Sequence, residues 1–467
     1  MSGHAAVCAR IDADFDEILT RWAAFLRIPS VSTDPAYDAE TRAAAVWARD
    51  QLREIGFTAA LHDTDGQPMV VAHHEGATPG APRVLYYGHY DVQPPDPVEE
   101  WETGPFEPTL RDGPHGRRMI ARGAVDDKGQ VMTFLEALRA WKAVHGSLPV
   151  TVTVFLEGEE ESGSPSLVPF LKARGDLLKA DVCVVSDTGM WDVDTPALTT
   201  QLRGLLYTEL RVQGPSGDLH SGLYGGLAPN PLNILARVLG GLHDDTGRIA
   251  IPGFYDAVVA PDPDTLAQWR ALDIDEARVR AGIGAAGLDG ERDRALLERA
   301  WSRPTADING MIGGYTGHGA KTVIPATASA KISFRLVPEQ TPEAVGAAFR
   351  NFLAARMPDS VTWSLDIHKG APAMRVPTES AYLRAARAAL KDVYGREAVL
   401  IGCGGSIPVV ELFKRHLGLE TLLMGFALED DGMHAPNEKF ELTCLARGAK
   451  AHVALLDRLQ GMAGSAA

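Results

Sequence analysis

The sequence predicts an α/β protein in which a main domain with a mostly parallel central sheet is interrupted by an inserted α+β domain. Three observations predict it. Apolar, β-branched runs alternate with helical stretches over residues 1–198, the signature of strands with helical cover. After about 198 the pattern changes to longer strand-like stretches around short helices. From about 376 long amphipathic helices return, separated by the short apolar run LLMGF. At 467 residues the chain is also too long for one compact core of ordinary size. The expected division is therefore 1–198 and 376–467 for the main domain and 199–375 for the insertion.

Each element has its own warrant. ILTRWAAFLRI and AETRAAAVWARDQLREIG carry helical spacing on either side of PSVSTDP. VLYYGHYDV at 84–92 is a strand that runs into the Pro-rich QPPDPVEEW. The stretch 128–146 reads as a helix stopped by Gly146, and VTVTVFL at 150–156 as a strongly β-branched strand. VCVVSD at 182–187 is another. In the insertion, TTQLRGLLYTELRVQG, KISFRLVP and VTWSLDIH read as strands and NPLNILARVLGGL as a helix. TPEAVGAAFRNFLAARMP places Thr341 as N-cap with Pro342 at the first helical position.

Composition narrows the function classes. A formal net charge of −16 argues against a general nucleic-acid surface. Cys8, Cys183, Cys403 and Cys444 are far apart with no CxxC pairing, which argues against a disulfide framework and suits a reducing cytosol. The N-terminus lacks a basic region followed by an apolar one, and no apolar run approaches the ~20 residues that span a bilayer. A cytoplasmic protein without membrane attachment is expected.

Polar residues recur where the strands finish. His89 and Asp91 follow VLYYG, Asp126 and Asp127 sit in RGAVDDKG, Glu159, Glu160 and Glu161 follow TVTVFLEG, and Asp187 ends VCVVSD. His434 lies in the loop EDDGMHAPNE. Strand carboxyl ends converge on the crevice of an open α/β sheet, and histidine with carboxylates offers N and O ligands for zinc, manganese or cobalt. A single HxD or EE pair is weak evidence. The surplus of acids makes a two-metal site reasonable, because unneutralised they would repel one another and raise each other's pKa.

These residues lie in a longer ordered set: FLRIPSVS, GHYDVQPPDP, WETGPFEP, ARGAVDDKGQ, EGEEESGS, VVSDTG, LHSGLYGG, GAKTVIPA, SFRLVPEQ, GGSIPV and GMHAPNEK. In that order they resemble the M20 family of metallopeptidases, in particular its cytosolic nonspecific dipeptidase and carnosinase branch. The resemblance implies a zinc-exopeptidase-like catalytic domain with an inserted lid and dimerisation domain. It implies a dipeptidase with two divalent ions per subunit, zinc first and manganese as the alternative. Asp126 would bridge the ions, His89 and Asp187 completing one set and Glu161 and His434 the other. Asp91 would orient His89 through its second ring nitrogen, and Glu160 would be the general base toward the water between the ions.

Glu159 falls outside the matched pair and is expected at the surface or behind the ligands. Two neighbouring glutamates can divide the jobs of base and ligand only if the backbone presents them differently, which favours an irregular turn. In the insertion the resemblance gives His220 to the oxyanion in the partner subunit's active site, hence a homodimer. It gives Arg335 to the substrate's terminal carboxylate, with Thr322 and Ser406 adding polar contacts and Asn309 and His318 less securely matched. Glu438 and Cys403 are polar or small groups near these strings without an assigned step. The rival readings are an N-acyl amino-acid deacylase of the same family and an inactive binding protein that kept the fold. The second is disfavoured because all five ligand positions and the base are present.

Overall fold

The computed structural model describes residues 3–272, 274–368, 370–405 and 407–464. The chain forms two compact units. One runs to Thr200 and resumes over Val376–Ile401 and from Leu412; the other comprises Gln201–Arg375 and Gly402–Glu411.

The first unit is built on a mixed sheet. Its strands lie in the order Thr58–His62, Met69–His74, Val152–Glu157, Val84–His89, Val182–Val185, Glu420–Leu423 and Ala197–Leu202. The four strands from Val152–Glu157 to Glu420–Leu423 are parallel to one another. The flanking strands pair antiparallel, so the parallel pairing that the sequence predicts holds through the centre of the sheet and gives way at its margins. Every residue of Val84–His89, Val152–Glu157 and Val182–Val185 is buried. Burial on both faces explains why these strands read as continuous apolar runs without alternation.

Helices cover the sheet. Lys128–His145 packs against Leu442–Gln460, which also meets Ala381–Tyr394. Gly146 terminates the first at φ 73° and Gly56 terminates Asp38–Ile55 at φ 107°, a left-handed conformation that glycine adopts without a Cβ penalty. Trp22, Phe25, Tyr86 and Phe134 are fully buried in the core between these layers.

The second unit carries a four-stranded antiparallel sheet in the order Thr305–Gly313, Thr327–Leu336, Gly204–Gln213 and Thr362–Ile367. Gly204–Gln213 alternates buried and less buried residues, the period of a sheet covered on one face. Helices Pro231–Leu239 and Pro342–Ala354 begin at Asn230 and Thr341, whose side chains accept N–H bonds from the first turn, each followed by proline. Leu206, Leu210, Ile332, Phe334, Phe349 and Phe352 form their shared core.

Candidate metal centre

The polar residues of the first unit sit where its parallel strands end. His89 closes its strand and Asp91 follows two residues later. Asp126 and Asp127, joined by a cis peptide bond, precede the helix Lys128–His145. After Val152–Glu157 the chain makes one 3-10 turn, Glu160–Ser162, that closes at Gly163 with φ 86°. This is the irregular turn the acidic run requires. Asp187 lies two residues beyond Val182–Val185.

Asp126 is the shared member of two groups. His89 Nε2 lies 3.2 Å from its Oδ1, and His434 Nε2 lies 3.0 Å from its Oδ2. Glu161 Oε2 is 3.4 Å from the same His434 nitrogen. Ligand atoms of His89, Asp126 and Asp187 fall within 4.8 Å of one another, as do those of Asp126, Glu161 and His434. His89 Nε2 and Glu161 Oε1 are buried without a hydrogen-bond partner. Buried polar atoms normally have one, so an unpartnered N in one group and an unpartnered O in the other fit divalent cations.

The electrostatics agree. Burial pushes the Glu161 carboxyl up to about 9, with the Asp126 charge adding to it, and raises Asp187 to about 6 for the same two reasons. Burial also raises Glu160 to about 8, with Asp187 and Asp91 contributing. Asp126 goes the other way: burial would raise it, but the His434 hydrogen bond and the His89 ring beside its other oxygen outweigh that and hold it well below the usual carboxylate range. A set of acids this poorly solvated is relieved by positive charge.

The surroundings brace four of the candidate ligands. His89 Nδ1 faces Asp91, 3.1 Å from its carbonyl oxygen and 3.2 Å from Oδ1, which sets the ring's orientation. Gln93 Nε2 donates to Glu161 Oε2 at 2.7 Å. Glu438 is fully buried and accepts four bonds: from Arg122 at 2.7 Å and from the backbone N–H groups of Gly123, Val125 and Asp126 at 2.8–3.1 Å. It thereby clamps the loop that presents Asp126. Lys439 pairs with Asp431 at 2.6 Å and with Asp430 and Glu441 at 3.2 Å, bracing the loop of His434. His434 itself sits at φ 61°, a strained left-handed backbone for a non-glycine residue. Its side chain is 56 % exposed, while that of His89 is 0 %.

Of the two places expected for Glu159, at the surface or behind the ligands, the surface is not where it lies. It is buried, and its two carboxylate oxygens accept the backbone N–H groups of Gln67 and Ser166, each at 3.1 Å. Gly66 packs so closely on it that an added Cβ would stand 1.6 Å from Glu159 Oε1. The glutamate outside the Glu160–Glu161 pair is thus a mooring for the turn. Gln93 and Glu438 lie inside the quoted strings, and only the three-dimensional contacts reveal their work.

The remaining expected residues belong to the second unit. His220 and Thr322 are brought side by side, because Leu219–His220 pairs antiparallel with Val323–Ile324 and the Ser221 N–H donates to the Thr322 carbonyl at 3.0 Å. Both side chains are exposed. Arg335 stands on Thr327–Leu336 between Thr305 and Leu205. Asn309 occupies the bulge between Ile308 and Gly310, and the His318 carbonyl accepts the Tyr315 hydroxyl at 2.8 Å. Cys403 Sγ accepts the Gly405 N–H at 3.3 Å. Ser406 lies outside the described residues.

Comparison with known proteins gives one consistent picture. The profile of Peptidase family M20/M25/M40 matches residues 85–458. The Cys-Gly metallodipeptidase dug1 of Schizosaccharomyces pombe is 32% identical over 460 residues, covering 94% of this chain and 95% of that protein. The crystal structure of human carnosine dipeptidase 1 superposes with a TM-score of 0.82 at 29% identity and covers 99% of both chains. The metallo-carboxypeptidase Sso-CP2 of Sulfolobus solfataricus superposes with a TM-score of 0.83 at 31% identity, covering 95% of this chain and 99% of that one.

Proposed function

This chain belongs to peptidase family M20/M25/M40, and on that premise we propose that it is a metal-dependent dipeptidase acting on dipeptides with a free C-terminal carboxylate. The observation that carries the reading is the pair of ligand groups sharing Asp126. His89, Asp126 and Asp187 would hold one cation and Asp126, Glu161 and His434 the other; zinc suits this N and O set, and manganese is the alternative. Such cations supply Lewis acidity toward the scissile carbonyl and toward water.

The chain's own residues do the rest. Glu160 takes a proton from the attacking water as its oxygen bonds to the carbonyl carbon. It returns that proton to the amine as the C–N bond breaks. The burial that raises Glu160 toward neutrality suits a group that must both accept and release a proton. Asp91 keeps the His89 ring oriented. In a homodimer, the partner subunit's His220 donates to the developing oxyanion. Arg335 takes the terminal carboxylate in its planar fork, with Thr322 and Ser406 alongside. Residues 199–375 serve as the lid and dimerisation domain and exclude water when the site closes. No helix among the described residues is long and apolar enough to cross a membrane; with no disulfide among Cys8, Cys183, Cys403 and Cys444, a cytoplasmic location is the proposal.

Likeness to a metallo-carboxypeptidase favours a second reading, removal of C-terminal residues from longer peptides. A mass-spectrometric screen of the metal-reconstituted protein against dipeptides, tripeptides and N-acyl amino acids separates the two. Preferential cleavage of dipeptides is expected. Equal turnover of tripeptides would establish the carboxypeptidase reading, and exclusive deacylation would sink both.

A further inference from the structure

Among the strings near the N-terminus, PSVS has no part in the chemistry described so far, yet it is tied to the centre of it. Ser30 Oγ donates to the Tyr90 carbonyl at 2.6 Å, and the Val92 N–H donates back to the Ser30 carbonyl at 2.9 Å. Val31 bridges Val92 in parallel. Upstream, the buried ammonium of Lys128 donates to the carbonyls of Phe25 at 3.1 Å and Ile28 at 2.6 Å. The segment is thus held from both ends, by the strand end that carries His89 and by the helix that starts after Asp127.

This fastening delivers one side chain. Ser32 Oγ donates to Asp91 Oδ2 at 2.6 Å. The same oxygen accepts the Glu161 backbone N–H at 3.0 Å, while Oδ1 faces His89 Nδ1 at 3.2 Å. Asp91 is fully buried, so its charge depends on these few donors. One carboxylate therefore touches a ligand from each of the two groups, the His89 ring of one and the Glu161 backbone of the other. We propose that Ser32 is a positioning residue for the metal centre, its hydroxyl locking the Asp91 carboxylate in the orientation that braces His89 and Glu161 together.

The proposal rests on the two-cation reading and makes a claim that a merely structural serine does not. Removing the hydroxyl frees Asp91 to turn about its side-chain torsions and loosens both groups at once. Both cations should bind more weakly together, while KM is expected to stay unchanged because the Ser32 hydroxyl is engaged by Asp91. Ser30 is the control, since its hydroxyl meets only the Tyr90 backbone carbonyl and no side chain of either group.

The test titrates Co²⁺ into the full-length apoprotein and follows the visible spectrum, with thermal unfolding of the apoprotein in parallel. Ser32→Ala should weaken both Co²⁺ equilibria roughly 10–100-fold and alter the ligand-field bands, with KM unchanged in the loaded enzyme. Ser32→Thr, which keeps the hydroxyl, should restore both, and Ser30→Ala should lower the unfolding temperature without moving either equilibrium. The proposal is overturned if Ser32→Ala binds two Co²⁺ as the wild type does, if only one equilibrium moves, or if Ser30→Ala weakens binding equally. A wild-type protein that takes up no Co²⁺ removes the metal-centre reading, and this proposal with it.

Discussion

His89 and His220 are both assigned to the reaction, and their settings are opposites. In the first unit His89 is fully buried, with one nitrogen on Asp91 and the other on Asp126. Its neighbours are braced in turn by Glu438, Gln93 and Lys439. In the second unit His220 is exposed, and its Nδ1 accepts the Gly222 N–H at 3.0 Å. Clustered acids can be kept together only by a scaffold that supplies donors and holds geometry, so the ligand region is dense with hydrogen bonds. A residue that meets its substrate only on binding needs no such bracing in its own unit.

That contrast can be broken or sharpened by substitution. The largest effect is expected at the buried end. Glu160→Ala should lower kcat about 10²–10⁴-fold with both cations retained, measured by steady-state kinetics beside metal analysis. Loss of metal with surviving turnover would exchange the roles of Glu160 and Glu161. Next, Glu438→Ala leaves the buried Arg122 guanidinium without its carboxylate and should cost about 3–5 kcal/mol of stability, read from chemical unfolding. A change within error would show that the Asp126 loop holds itself.

On the exposed side, His220→Ala should lower kcat/KM about 10²–10³-fold while unfolding and metal content stay as in the wild type. A mutant with wild-type efficiency on its best dipeptide would falsify the assignment. The smallest effect concerns pH. His452 is buried among Tyr86, Phe134 and Phe426, bonds Ser186, and is held by that burial down at about 3. Its folded pKa is depressed below the unfolded one, so the unfolded chain binds more protons as pH falls. The stability it contributes is complete above about 6.5 and is lost progressively as pH falls toward 3, at up to ~1.4 kcal/mol per pH unit. His452→Gln should flatten that slope in unfolding measured between pH 6.5 and 4.5.

The sequence made some of this legible and hid the rest for identifiable reasons. The parallel centre showed because strands buried on both faces read as apolar runs, and the ligands showed because they interrupt those runs at their ends. The antiparallel margins left no such mark: Thr58–His62 is short and only partly buried. The mooring of Glu159 was hidden because one of its two N–H donors, Gln67, stands 92 residues earlier, while the other, Ser166, is 7 residues on. Glu438 does its work on backbone N–H groups more than 300 positions earlier, a relation that no local pattern carries. His220, Thr322 and Arg335 look like ordinary strand-edge and loop residues, and only the ordered strings set them apart.

The contact between Gly66 and Glu159 reaches into how this chain can vary. Glu159 cannot step aside for a methyl group at 66 without giving up the N–H of Gln67 or Ser166. Any side chain at that unremarkable turn therefore has to displace the Glu159 oxygen that accepts the Gln67 N–H. Drift at position 66 is constrained by a carboxylate 93 residues further along the chain.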